Sequence, residues 1–211
     1  MEFKAGEKVV FIGDSITEDN RFQEEDGLGT GYVRHIHDYF ALCYPELYLQ
    51  IVNKGISGNR VTDLQQRWEK DVIQEEPDWL SVSIGINDVW RQLDSPELEQ
   101  VSPAAFMDIY RELLKETKEN TNAKLIILEP TMIGEDENAE GNKLLKEYVA
   151  ITRMLSKEFN AVHVPMHDRF IEYIRQFPGN KLTTDGVHMN PLGRMLMTIV
   201  WMESLGLTSG K

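Results

Sequence analysis

Four short stretches of the chain carry residues able to do chemistry. Ser15 lies in "GDSIT", directly after an apolar run and an acid. Gly58 lies in "NKGISGNR", Asn87 in "GINDVWR", and Asp185 and His188 stand three residues apart in "TTDGVHMNP". A serine hydroxyl is a weak nucleophile, so it needs a base within hydrogen-bond reach and a third group that holds the base in the right tautomer. His188 and Asp185 offer both from one loop. Attack on an ester creates an oxyanion, which preorganised backbone N–H groups and amide side chains stabilise. Ser15 at a helix start, Gly58 and Asn87 offer such donors. Each residue taken singly has a plainer reading: Ser15 as a helix N-cap, Gly55 and Gly58 as turn glycines, Asn87-Asp88 as an Asx turn, Asp185-Gly186 as an ordinary turn. Their coincidence favours the chemical reading.

The elements that must position them alternate. Apolar runs at 8–13, 47–53, 78–85, 123–130 and 161–165 read as strands. Helical spacing appears at 31–43, 62–74, 103–119, 138–158, 166–177 and about 190–204, the last opened by Asn190-Pro191 as an N-cap followed by proline. Such alternation implies crossover units, hence an α/β chain with a mainly parallel sheet covered by helices on both faces. Ligand sites in such sheets lie beyond the carboxyl ends of the strands, which is where the first three stretches fall. No repeat, linker or low-complexity tract interrupts the pattern, so residues 1–211 are expected to form one domain.

Composition narrows the classes. Hydrophobic residues make up 41% and charged residues 27%, the balance of a globular chain with a sizeable core. The net charge of −13 would repel phosphate backbones and anionic bilayers, so neither nucleic acid nor a membrane is an expected partner. Cys43 is the only cysteine, which removes a disulfide framework and a cysteine metal site. The N-terminal "MEFKAGEKVV" lacks the continuous apolar core of a secretion signal, and a cytoplasmic location is expected.

"GDSI" at 13–16, Gly58 in "NKGISGNR", Asn87 in "GIND" and "DGVH" at 185–188 resemble, in order, the four sequence blocks of the SGNH subgroup of GDSL hydrolases. The resemblance implies Ser15 as nucleophile, Asp185 and His188 as its triad partners, and an oxyanion hole from the Ser15 N–H, Gly58 and Asn87. It implies a three-layer α/β/α sandwich with a flavodoxin-like five-stranded parallel sheet. "GISGNRVTDLQQRWEKDV" and "GINDVWRQ" are most similar to a bacterial branch of carbohydrate acetylesterases that includes acetyl-xylan esterases. The expected partner is therefore a small acyl ester, an acetylated carbohydrate, hydrolysed through an acyl-enzyme without a cofactor. A lysophospholipase or thioesterase of the same fold is the nearest rival. A non-catalytic binding module on a flavodoxin-like sheet is the rival from another class, and the absence of a Gly-rich phosphate loop argues against it.

Outside the blocks, Trp90 and Arg91 follow Asn87 closely enough to border the site, and Arg60 follows Gly58; these three are the candidate substrate contacts, with surface ion pairs as the plainer role for both arginines. Trp68 and Trp79 read as core. Asp14 and Asp88 are expected to cap or brace backbone turns. His163 and His167 have the i, i+4 spacing of metal ligands, but Pro165 between them separates strand from helix, and no metal is assigned. The last helix carries Met195, Leu196, Met197, Ile199, Val200, Trp201 and Met202 around more of its circumference than one sheet face needs, so self-association is expected.

Overall fold

The computed structural model describes residues 3–207. Five strands form one sheet in the order β2-β1-β3-β4-β5, with every pairing parallel: β1 (Lys8–Gly13), β2 (Gln50–Gly55), β3 (Trp79–Ser83), β4 (Lys124–Leu128) and β5 (Val162–Val164). The central strands are buried on both faces, which is why Val9, Val10, Phe11 and Ile12 of β1 run without polar interruption.

Helices cover both faces. On one side α2 (Tyr32–Cys43) packs against α8 (Pro191–Ser204), which also meets α7 (Met166–Gln176). On the other, α5 (Pro103–Asn120) packs between α3 (Val61–Trp68) and α6 (Glu140–Glu158). Two tryptophans read as core are buried in these layers. Trp68 donates to Thr117 Oγ1 of α5 at 3.0 Å, and Trp79 donates to Glu7 Oε2 at 2.7 Å, so each polar tip is satisfied. From α8, Trp201 reaches the sheet and donates to Ser81 Oγ at 3.1 Å.

Two elements depart from the sequence reading. The expected helix at 62–74 is an α-helix only to Trp68 and continues as a π-helical turn over Glu69–Ile73. Residues after β3, read as a loop, form α4 (Ile86–Asp94). Its signal was present: Ile86, Val89, Trp90 and Leu93 stand at helical spacing, but the run is too short to rise above a strand-end loop. A four-residue helix α1 (Ser15–Glu18) follows β1.

The strand order reverses beside β1: the chain leaves β1 for β2 on one side, then returns to β3 on the other. Loops diverging from such a switch point leave a crevice above the carboxyl ends of the strands. Ser15 follows β1 and Asn87 follows β3, so both flank it.

Candidate active site

Asp14 follows β1 and caps α1, its Oδ1 accepting from the Ile16 N–H at 3.0 Å. Ser15 is thereby held as the first helical residue, where N–H groups have no acceptor within the helix. Its hydroxyl meets His188 Nε2 at 2.9 Å, and His188 Nδ1 meets Asp185 Oδ2 at 2.6 Å. Residues separated by 173 positions thus form one continuous hydrogen-bonded chain. Asp185 does more than face the ring: its Oδ1 accepts from the backbone N–H groups of Val187 at 3.0 Å and His188 at 2.8 Å, closing the loop upon itself. Desolvation pushes the Asp185 carboxyl up, but the hydrogen bonds from the His188 ring and these two amides outweigh it and hold its pKa at about 2. An ionised Asp185 keeps the imidazole proton on Nδ1 and leaves Nε2 free to accept from Ser15. The rings of Trp90 and His188 pack in a T-shaped arrangement, centroids 5.9 Å apart.

Gly58 sits in the turn after β2 with φ of +80°, a conformation that other residues adopt only under strain. Asn87 is buried in the first turn of α4 and donates from Nδ2 to the Asn59 carbonyl at 3.1 Å. Asp88, next along α4 and fully buried, accepts from the Val61 N–H at 3.1 Å. These two bonds fasten the Gly58 turn to α4. Burial raises Asp14 and Asp88 to about 7 each, their backbone hydrogen bonds offsetting only part of the desolvation.

A serine–imidazole–carboxylate chain beside amide donors can transfer an acyl group, and comparison with known proteins bears on which kind. Residues 11–196 match the model of the GDSL-like lipase/acylhydrolase family. The chain belongs to that family. It is 37% identical over 215 residues to an acetylxylan esterase of Geobacillus stearothermophilus, the match covering 98% of this chain and 97% of that one. The crystal structure of an acetylxylan esterase from the same organism superposes with a TM-score of 0.92 at 36% identity, over 99% of this chain and 98% of the other. An alpha/beta hydrolase enzyme from the metagenome of Lake Arreo, Spain, superposes with a TM-score of 0.91 at 31% identity, over 98% and 99% of the two chains. As a GDSL-like acylhydrolase, the chain is an esterase acting on carboxylic ester bonds, on the SGNH hydrolase fold.

Within this acylhydrolase, the cleft beside Ser15 and His188 has a volume of about 230 Å³. A larger one, about 840 Å³, lies between α6 and α7 and is lined by Arg153, Asp168 and Arg175 among others. Size points to the second and chemistry to the first; the first contains the serine and the imidazole, and it is the candidate site. Arg91 lies beside Gly58, is bound to Asp94 at 2.6 Å and approaches the Trp90 ring. Arg60 donates to the Glu99 carbonyl at 2.7 Å and lies 3.9 Å from Asp63. His163 and His167 have separate partners: His163 Nε2 meets buried Glu129 at 2.9 Å, and His167 Nδ1 donates to the Thr131 carbonyl at 2.6 Å.

One organiser of the site escaped the sequence reading. Arg67 of α3 donates to the carbonyls of Gly13 at 3.0 Å and Lys54 at 2.8 Å and to Asn59 Oδ1 at 2.8 Å, so it ties the ends of β1 and β2 to the Gly58 turn. Its signal was a cation three residues after Leu64, on the side of α3 that otherwise buries Val61, Leu64 and Trp68.

Proposed function

We propose that this esterase removes acetyl groups from hydroxylated substrates such as xylo-oligosaccharides through a Ser15 acyl-enzyme. Ser15 Oγ attacks the ester carbonyl while His188 Nε2 takes its proton; Asp185 holds the ring and stabilises the imidazolium. The oxyanion is met by the Ser15 and Gly58 N–H groups and the Asn87 amide, whose NH₂ carries a second hydrogen besides the one given to Asn59. His188 then protonates the leaving alcohol, and water, activated by the same imidazole, releases acetate. The single observation that carries the reading is the unbroken chain Ser15–His188–Asp185, at 2.9 and 2.6 Å, at the strand-order reversal. The similarity to an acetylxylan esterase along nearly the whole chain supports the acetyl and sugar parts. Trp90, Arg91 and Arg60 are the proposed substrate contacts on the α4 side. Arg60, held by the Glu99 carbonyl and beside Asp63, would meet substrate with its remaining N–H donors and also order the Gly58 turn.

The test is a comparison of acyl esters. Acetyl esters are expected to exceed octanoyl esters and acyl thioesters in kcat/KM, with acetylated xylo-oligosaccharides as competent substrates. A tenfold or greater preference for octanoyl or thioester substrates would replace this reading with a lipase or thioesterase.

The proposal extends to setting. One unit spanning 1–211 acts in the cytoplasm, a reading supported by an exposed free thiol at Cys43, which suits a reducing compartment; fractionation of the native host is its check. Among the described residues no helix is long and apolar enough to cross a membrane. Self-association through α8 is supported by Leu192, Met195 and Ile199, all substantially exposed along one face of that helix.

A further inference from the structure

The nucleophile helix ends in an unusual way. Asp19 and Asn20, consecutive residues and neither a glycine, both adopt left-handed backbone conformations, with φ of 34° and 65°. Such conformations are uncommon for residues with a side chain, though Asp and Asn adopt them most readily, and they persist where neighbours over-determine them. Here they do. Thr30 donates its N–H to the Asp19 carbonyl at 2.7 Å and its hydroxyl to Asp19 Oδ1 at 3.0 Å, while Asn20 Nδ2 donates to Thr30 Oγ1 at 3.1 Å. Arg194 of α8 holds Asp19 Oδ1 at 2.7 Å, and Arg21 Nε donates to the Gly55 carbonyl at 2.6 Å. The "GLGTGY" segment is shaped to the same turn. A Cβ on Gly29 would stand 2.5 Å from the Asp19 carbonyl oxygen, and one on Gly31 2.5 Å from Asp19 Oδ2.

All this anchoring aims one short stretch at the cleft beside Ser15. That cleft is lined by Glu18, Asp19 and Asn20, with Ser57 and Arg194, as well as by Ser15 and His188. The hydroxyl of Ser57 donates to Glu18 Oε2, which fixes the carboxylate and leaves it acceptor capacity. The leaving oxygen of the ester must come within hydrogen-bond reach of His188 Nε2, and this is the cleft that His188 borders. A volume of about 230 Å³ is below the ~300–1,000 Å³ usual for ligand pockets, so it suits one ring rather than a chain.

We propose that the turn Glu18–Asn20 is the alcohol subsite of the esterase, in which Glu18 accepts a hydroxyl adjacent to the scissile ester and Asn20 contacts a second polar group of the same ring. The assignment rests on the acetylated-sugar reading above and adds a division of labour: the α4 side, with Trp90 and Arg91, meets the acyl half, and this turn meets the alcohol half. It makes specificity depend on a free neighbouring hydroxyl, because a ring that displaces water from Glu18 without offering a donor leaves the carboxylate with the Ser57 hydroxyl as its one replacement partner.

The measurement is kcat/KM on monoacetylated xylobiose, divided by kcat/KM on 4-nitrophenyl acetate, whose leaving group has no ring hydroxyl to offer. Glu18→Ala is expected to lower this ratio by about ten- to a hundredfold, the range of a lost hydrogen bond to a charged group, chiefly through KM. Glu18→Gln, which keeps an acceptor oxygen, should recover part of the loss. Asn20→Gly keeps the left-handed backbone at the loss of the Thr30 hydrogen bond, so with its fold checked by thermal unfolding it should lower the ratio severalfold. A ratio that stays at the parent value in both Glu18→Ala and Asn20→Gly overturns the assignment. So does an equal fall on both substrates, since that would make Glu18 only a support for the nucleophile helix. A parent enzyme that shows no preference for hydroxylated acetates over alkyl acetates lacking hydroxyls overturns the sugar reading itself, and this subsite with it.

Discussion

In the proposed mechanism Ser15 acts only through its partners. Ser15→Ala should lower ester hydrolysis by on the order of 10⁴-fold or more with the fold retained, and the double variant with His188→Ala should be no worse than either single, because the pair works as a unit. Burst and steady-state kinetics on an aryl acetate would show it, and additive losses would refute the coupling. Asn87→Ala should cut kcat by about 10²–10³ with little change in KM, since its amide meets charge that develops at the transition state. A pure KM effect would move Asn87 to ground-state binding. Asp88 offers a titration. Its folded pKa, about 7, lies above its ordinary value of 3.8, so the native state binds the extra proton between those values and loses stability as pH rises through them. Asp88→Asn keeps an oxygen for the Val61 N–H but cannot ionise. Thermal unfolding from pH 4 to 8 should therefore show the parent losing stability relative to the variant up to about pH 7, then a constant gap.

At the scale of elements, the site depends on how closely β2 approaches α1. A Cβ on Gly55, the last residue of β2, would fall inside van der Waals contact of the Glu18 backbone nitrogen and 2.6 Å from the Thr17 carbonyl carbon. Both neighbours are main chain and cannot swing away. Gly55→Ala must then displace α1, at a cost of about 1–3 kcal/mol typical of overpacking. Because α1 begins at the proposed nucleophile, kcat should fall together with the denaturation midpoint. A stable variant of parental activity would show that the strand end yields instead. The same closeness explains α4. A nine-residue helix that buries only its first turn leaves little periodic signal, yet it is what places Asn87, Asp88 and Trp90 on the side that faces Gly58 and His188.

For the whole molecule, the exposed face of α8 sets the expectation. Met197, Val200, Trp201 and Met202 are buried within the chain, so the apolar sequence of the last helix is mostly explained by packing against the sheet and α2. What remains is a narrower stripe of Leu192, Met195 and Ile199. If that stripe is an interface, light scattering at micromolar concentration should give a multiple of the 24.3 kDa chain mass, and Ile199→Glu should return it to that mass with esterase activity present. A monomeric parent would remove the argument.

Read alone, the sequence carried the alternation of strands and helices, because apolar runs buried on both faces and amphipathic helices leave periods that survive without coordinates. It also singled out Ser15, Gly58, Asn87, Asp185 and His188 as candidates, because their types are limited by the chemistry they could do. Tertiary structure decided what local pattern cannot encode. It brought Arg67 onto two strand ends, set the ring of Trp90 against His188, and turned Asp19 and Asn20 left-handed under the hold of Thr30 and Arg194. Each of these depends on partners elsewhere in the chain, and although Asp and Asn admit a left-handed turn, nothing local in them names the contacts that hold it.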